Sequence, residues 1–110
     1  MSLEQTEAEC AEGRSAPRVS LADIGEAMGP VIYVTGEQAT GVKITALSVL
    51  TLCFVVMKNG FTVIGKAAPA SPENFDVMLG RKLAYEDAVR QIWPLMGFAL
   101  RDRLSSGESK

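Results

Sequence analysis

The chain has 110 residues, with Lys+Arg 11 against Asp+Glu 13, a net charge of −2 and 47% hydrophobic residues. That length suits one small domain, and the mild acidity excludes a global electrostatic pull toward nucleic acid. The chain has no histidine, so it lacks both the commonest general base near neutral pH and the commonest metal ligand.

Residues 1–20 carry Glu4, Glu7, Glu9 and Glu12 among small and polar residues. Such a stretch has little apolar surface to offset the entropy of ordering, and it reads as a disordered acidic tail. No apolar signal segment opens the chain. A single domain is expected over residues 21–105, followed by a polar, frayed tail over 106–110. About 85 residues is close to the size at which a lone core is marginal, and self-association is a common remedy.

Ser20 can cap a short helix over residues 21–28, with Asp23 and Glu26 near its start and Gly29-Pro30 closing it. Residues 31–34 read as a short strand and 36–41 as a loop. Residues 43–57 read as one long strand, with a break or bulge available near Ala46–Ser48. Its apolar part is too short to span a bilayer as a helix. Asn59-Gly60 then suits a two-residue type I′ hairpin turn, with residues 61–67 returning. That turn pairs Lys58 with Phe61, Val56 with Val63 and Phe54 with Gly65. One face then carries Leu50, Leu52, Phe54, Val56, Phe61 and Val63, and is expected to be the core. The other carries Thr51, Cys53, Val55, Met57, Thr62, Ile64 and Lys66. It is half apolar, so another element or another subunit is expected to cover it.

Ser71 as N-cap, Pro72 at the first helical position, and Glu73 and Asp76 near the positive end would open a C-terminal helical segment. Phe75, Leu79 and Leu83, then Ile92, Met96, Leu100 and Leu104, recur at a spacing of four, an amphipathic pattern. Gly80 is a point where the segment can divide, and Pro94 is one where it should kink or restart. The expected architecture is α+β: a small antiparallel sheet with a central hairpin, packed by C-terminal helices.

Two cysteines, Cys10 and Cys53, make no disulfide framework and suit a reduced, cytosolic setting. Cys53 has no imidazole to activate it and reads as a packed core thiol. Asp76 suits the helix start, and Glu86 can pair with Lys82 or Arg90 along the helix. Nothing forms an acid–base pair or a Gly-rich phosphate loop, so the chain is not expected to be an enzyme. Aromatics do not alternate with bases as they do on a sheet that binds single strands. Arg81, Lys82, Arg101 and Arg103 have two readings: solvated cations, favourable near a helix C-terminus, or phosphate clamps built on the rigid guanidinium fork. Asn74 can serve a ligand or the helix start. Tyr85 can stack on a ligand or remain a half-buried ring.

Several segments come in a recognisable order. They are Lys58-Asn59-Gly60-Phe61-Thr62-Val63, Ser71-Pro72-Glu73-Asn74-Phe75-Asp76, Gly80-Arg81-Lys82, Ile92-Trp93-Pro94-Leu95, Gly97-Phe98, and Leu100-Arg101-Asp102-Arg103-Leu104. Over residues 50–104 the chain resembles the small tailed-phage protein family named for the gene 49 and gene 66 products of two enterobacterial phages. It departs where that family usually has a Ser-Ala-Cys segment after the second strand, since Lys66-Ala67-Ala68-Pro69 stands there. It also has Met96-Gly97-Phe98 where Glu-Gly-Tyr is common.

The resemblance implies a phage or prophage origin and the host cytoplasm as the place of action. It supplies no reaction. The helix-and-hairpin plan is also similar to that of the sponges that sequester cyclic ADP-ribose-type signals of the Thoeris defence system. That similarity implies a non-enzymatic anti-defence homo-oligomer, without cofactor or metal, that binds a cyclic nucleotide or a cyclic ADP-ribose type of signal. In it Phe75 or Tyr85 would stack the base, Arg81, Arg101 and Arg103 would hold phosphates, and Asn74 would line the site. The alternative, drawn from the half-apolar strand face, is a protein-interaction module that inhibits or redirects a host protein. Nucleic acid comes third, and no membrane association is expected.

Overall fold

The computed structural model describes residues 2–11 and 16–107. In chain order the elements are α1 (Leu3–Ala11), α2 (Leu21–Ala27), β1 (Met28–Thr35), α3 (Gly36–Thr40), α4 (Thr45–Ser48), β2 (Thr51–Met57), β3 (Thr62–Ala67), a 3-10 turn (Pro72–Asn74) and α5 (Val77–Ser105). The three strands form one antiparallel sheet in the order β1-β2-β3, and α5 packs across one face of it. The fold is α+β.

Local chemistry accounts for most element boundaries. Ser20 and Asp23 form a reciprocal capping box at the start of α2: the Ser20 hydroxyl accepts the Asp23 N–H at 3.1 Å and the Asp23 carboxylate accepts the Ser20 N–H at 2.9 Å. Thr35 and Gln38 repeat the device and start α3, a short helix where a loop was expected. The long strand expected over 43–57 is shorter. Residues 45–48 wind into one helical turn (α4), whose Ser48 hydroxyl bonds to the Glu37 carboxylate on α3, and β2 begins only at Thr51.

The reversal between β2 and β3 is present, but its register differs by one residue from the expected pairing. Val55 faces Val63, Phe54 faces Ile64 and Cys53 faces Gly65. The connection has three residues, Lys58-Asn59-Gly60, closed by Met57 N–H to Phe61 O at 2.7 Å and by Gly60 N–H to Met57 O at 2.8 Å. Gly60 takes a positive φ of 92°, and the Asn59 side-chain oxygen accepts the Phe61 N–H at 3.0 Å. This is the three-residue hairpin in which a glycine supplies the left-handed position after a turn.

A one-residue slip moves every β3 side chain to the other face relative to β2. The side packed under α5 carries Thr51, Cys53, Val55 and Met57 from β2 with Val63 and Gly65 from β3, all buried. The face expected to be the core, with Leu52, Phe54 and Val56, is the outer one. Phe61 is exposed. Shape and polarity both favour the packed side, since exposed Thr62 and Lys66 lie on the outer one. Gly65 lies so close to α5 that an added Cβ would sit 2.1 Å from the Ala84 carbonyl oxygen and 2.6 Å from the Ala88 nitrogen. Ala84 and Ala88, one helical turn apart and fully buried, let the helix backbone reach the strand. Val89, Ile92, Ile24 and Met28 complete the core.

The helix start also shifts. Ser71 precedes only the 3-10 turn, and α5 begins after Asp76, whose carboxylate accepts the Leu79 N–H at 3.1 Å. Gly80 does not divide the helix but lies against the Thr51 side chain. Pro94 does not end it: α5 runs unbroken for 29 residues, about 44 Å at 1.5 Å per residue.

Within the stretch expected to be a disordered tail, residues 3–11 form α1. Leu3 is buried, and the Glu7 carboxylate accepts the Leu21 N–H and lies 3.7 Å from Arg18. The Trp93 indole N–H donates to the Val19 carbonyl at 3.1 Å, tying the segment before α2 to α5. Residues 1, 12–15 and 108–110 of the expected tails lie outside the described residues.

Candidate functional site

The six residues singled out from the sequence fall into two groups. Near the start of α5, Arg81 places its guanidinium 5.5 Å over the ring of Tyr33 on β1. Phe75 and Val77 from one side, and Thr35, Gln38 and Thr51 from the other, complete a small pocket there. Its free volume is about 30 Å³, room for roughly one water molecule. Asn74 is exposed on the preceding 3-10 turn. Tyr85, one turn after Arg81, is half-buried, and its hydroxyl meets the Met28 sulfur at 3.7 Å, so it serves the core. Arg101 and Arg103 lie about 30 Å farther along the helix, twenty residues after Arg81 at 1.5 Å each. Within one chain they cannot share a ligand with Arg81.

At that second end Arg103 joins Arg18, Asp23, Glu26, Met96 and Leu100 around a cleft of about 200 Å³. The Arg103 Nε is buried with no hydrogen-bond partner among the described residues. A desolvated donor of this kind is costly, and an anionic oxygen in the cleft would relieve it. Arg101 is exposed. A third hollow, about 180 Å³ and mostly apolar, lies between the hairpin and α5 and is lined by Met57, Phe61, Ile92, Leu95 and Met96. All three fall short of the roughly 300–1,000 Å³ of a usual small-molecule pocket.

The titratable groups beside Arg81 are not poised for reaction. Burial raises the Cys53 pKa above its ordinary value, with a hydrogen bond from Tyr33 partly opposing it. Cys53 is therefore a protonated core thiol, as its strand position implied. Burial is also the main cause raising the Tyr33 pKa. The nearby Cys53 and Tyr85 add to it, and Arg81 pulls the other way. No group of Cys, Asp and Glu side chains among the described residues could hold a metal ion, and no described helix is long and apolar enough to cross a membrane.

The model of the phage protein (N4 Gp49/phage Sf6 gene 66) family matches residues 20–104. The chain belongs to this family. The match begins at the Ser20 cap, so α2 and β1 are family elements along with the hairpin and α5, a wider span than residues 50–104. All six candidate residues lie within it, as do Tyr33 and the exposed outer face of the sheet. Helix α1 and Arg18 lie before it. No curated protein and no solved structure matches the chain. None of these matches supports the expected likeness to signal sponges.

Tyr33 and Arg18 were missed in the sequence. The signal for Tyr33 was strand alternation: it pairs with Cys53, which pairs with Gly65, so it lies on the helix side facing Arg81. With the hairpin register off by one residue, that row could not be drawn. Arg18 carried no signal, because the segment before Ser20 shows no periodicity.

Proposed function

We propose that this phage accessory protein is non-enzymatic and acts by binding and sequestering a nucleotide-type immune signal of the host, of the cyclic nucleotide or cyclic ADP-ribose class. The observation that carries the reading is the corner where the Arg81 guanidinium lies over the Tyr33 ring with Phe75 beside it. A guanidinium matches phosphate oxygens with a rigid donor fork, and aromatic rings offer stacking faces to a base. The corner on one chain holds only about 30 Å³, so a nucleotide bound there needs a further wall from a second copy. Arg101 and Arg103 could act on the same ligand only if another copy supplies them.

Titration calorimetry of the purified protein against a panel of cyclic nucleotides and cyclic ADP-ribose isomers tests this. The expected result is micromolar or tighter binding of at least one member. That binding should weaken about tenfold or more in Arg81→Ala, the loss of one charge-assisted phosphate contact. The ligand should be recovered unchanged after denaturation. No binding at high micromolar concentration retires the reading, and conversion of the ligand retires its non-enzymatic part.

A second reading has its own observation. The outer face of the sheet presents Ile32 and Ile64, 51% and 50% exposed, flanking a half-buried row of Leu52, Phe54 and Val56. An uncovered apolar sheet face suits a module that docks on a host protein and inhibits or redirects it. One stoichiometric host partner, held by the unmodified protein and lost in Ile64→Lys, supports this reading. Equal retention by both proteins argues against it.

A further inference from the structure

The sheet has two edges, and the chain treats them differently. Along an antiparallel strand, successive residues turn their backbone N–H and C=O groups alternately to one neighbour and to the other. In β2 the odd residues bond to β3, as Met57 N–H does to Phe61 O, and the even ones bond toward β1, as Leu50 O does with Gly36 N–H at 2.9 Å. The even residues of β3 and the odd residues of β1 therefore face outward.

The β3 edge is capped by α5. The outward N–H of Lys66 donates to the Asp87 carboxylate at 2.9 Å, and the outward carbonyl of Ile64 accepts from Gln91 Nε2 at 2.8 Å. On β1 the outward N–H of Thr35 is taken by the Gln38 side chain at 2.8 Å. The N–H and C=O groups of Val31 and Tyr33 have no hydrogen-bond partner among the described residues. A bare apolar edge is a template for another strand, and this one lies opposite an edge that carries blocking side chains.

We propose that β1 pairs antiparallel with β1 of a second copy, with Val31 opposite the other copy's Tyr33 and Ile32 opposite its own counterpart. The open groups are two donors and two acceptors per copy. In this register each donor meets an acceptor, so the two copies satisfy one another completely. A register centred on Tyr33 would instead require the Thr35 N–H, which Gln38 already holds. The chosen register also extends the outer row Ile32–Phe54–Ile64 straight across the two-fold axis, giving one continuous apolar row over six strands. The open stretch is only two outward residues long and complements itself, which favours a second copy over an unrelated extended peptide. The pairing needs no ligand and does not rest on the nucleotide reading, although it brings a second copy beside the Tyr33–Arg81 corner.

The test uses the purified, ligand-free protein over a concentration series. Light scattering gives the mass, and amide hydrogen exchange gives the protection of Val31 and Tyr33. The mass should rise from 11.8 kDa toward twice that value, with protection of both amides rising in step. Ile32→Lys, which sets two ammonium groups against each other on the axis, should weaken association about tenfold or more. Ile64→Lys, equally exposed on the same face but on the capped strand, should change it by no more than about twofold.

Rapid exchange of Val31 and Tyr33 at the highest concentration overturns the proposal. So does association lost equally in both variants, or more in Ile64→Lys, which would mark stacking of faces. Protection that appears only when a host protein is added also overturns it. Should Ile32→Lys fail to fold, the exchange measurement on the unmodified protein decides alone.

Discussion

Both faces of this sheet carry apolar side chains, and the helix covers only one of them. The outer face carries Ile32, Val34, Leu52, Phe54, Val56 and Ile64 beside exposed Thr62 and Lys66, and α5 lies on the other side, with Thr51, Cys53, Val55, Met57, Val63 and Gly65. The helix selects the side it can approach. Gly65 against Ala84 and Ala88 brings backbone to backbone, which gives close-packed contact along the helix. What remains is a largely apolar outer face and one bare edge, neither covered by a described element.

The largest blow to this picture should come from Gly65→Val. Its side chain would have to enter the backbone of α5, and the loss should be about 3 kcal/mol or more, read by urea denaturation. A loss under about 1 kcal/mol would mean that the helix is not held against β3 at this point. Next comes the pair Val55→Ala and Ile64→Ala. Val55 is fully buried beneath the helix and should cost about 2 kcal/mol, whereas Ile64 should cost well under about 1 kcal/mol in dilute protein. Equal losses would show that the outer face is covered after all. Asp76→Ala removes the carboxylate that caps α5 and should cost about 1 kcal/mol, while Ser71→Ala, outside the helix, should change stability by less than about 0.5 kcal/mol.

The gentlest effect is in pH. Cys53 and Tyr33 both have pKa values raised by burial on the helix side, so the folded state holds their protons more tightly than the unfolded state does. Their contribution is fully present below the unfolded thiol pKa of about 8.5 and declines as pH rises through the folded values. Melting temperature should therefore fall through the alkaline range, and the fall should be shallower in Cys53→Ala. An unchanged slope would place the titrating group elsewhere.

The features legible in the sequence were those set by neighbours in the chain. The Ser20–Asp23 cap, the reversal at Asn59-Gly60, the core position of Cys53 and the amphipathic helix carrying Ile92 and Leu100 all depend on local chemistry. The α3 cap was present in Thr35 and Gln38 and simply went unread. The hairpin register was harder. Loops of two and three residues both fit Lys58-Asn59-Gly60, and apolar patterning could not choose between them because both faces of β2 carry apolar side chains. The choice was made by tertiary fit to Ala84 and Ala88, which no local rule supplies. The candidate site suffered from the same cause. Arg81 and Phe75 were found by residue type, but Tyr33 belongs to a row visible only once the register is known. The separation of Arg101 and Arg103 from Arg81 followed from Gly80 and Pro94 failing to interrupt the helix.

Trp93 is the only tryptophan in the chain, and its indole is anchored on the carbonyl of Val19. Its fluorescence is therefore a private report on one joint, where the second half of α5 meets the segment leading into α2. Detachment of that segment would redden and dim the emission while the sheet beneath the first half of α5 stayed intact. An optical transition that precedes loss of circular dichroism would reveal the far end of the long helix letting go first.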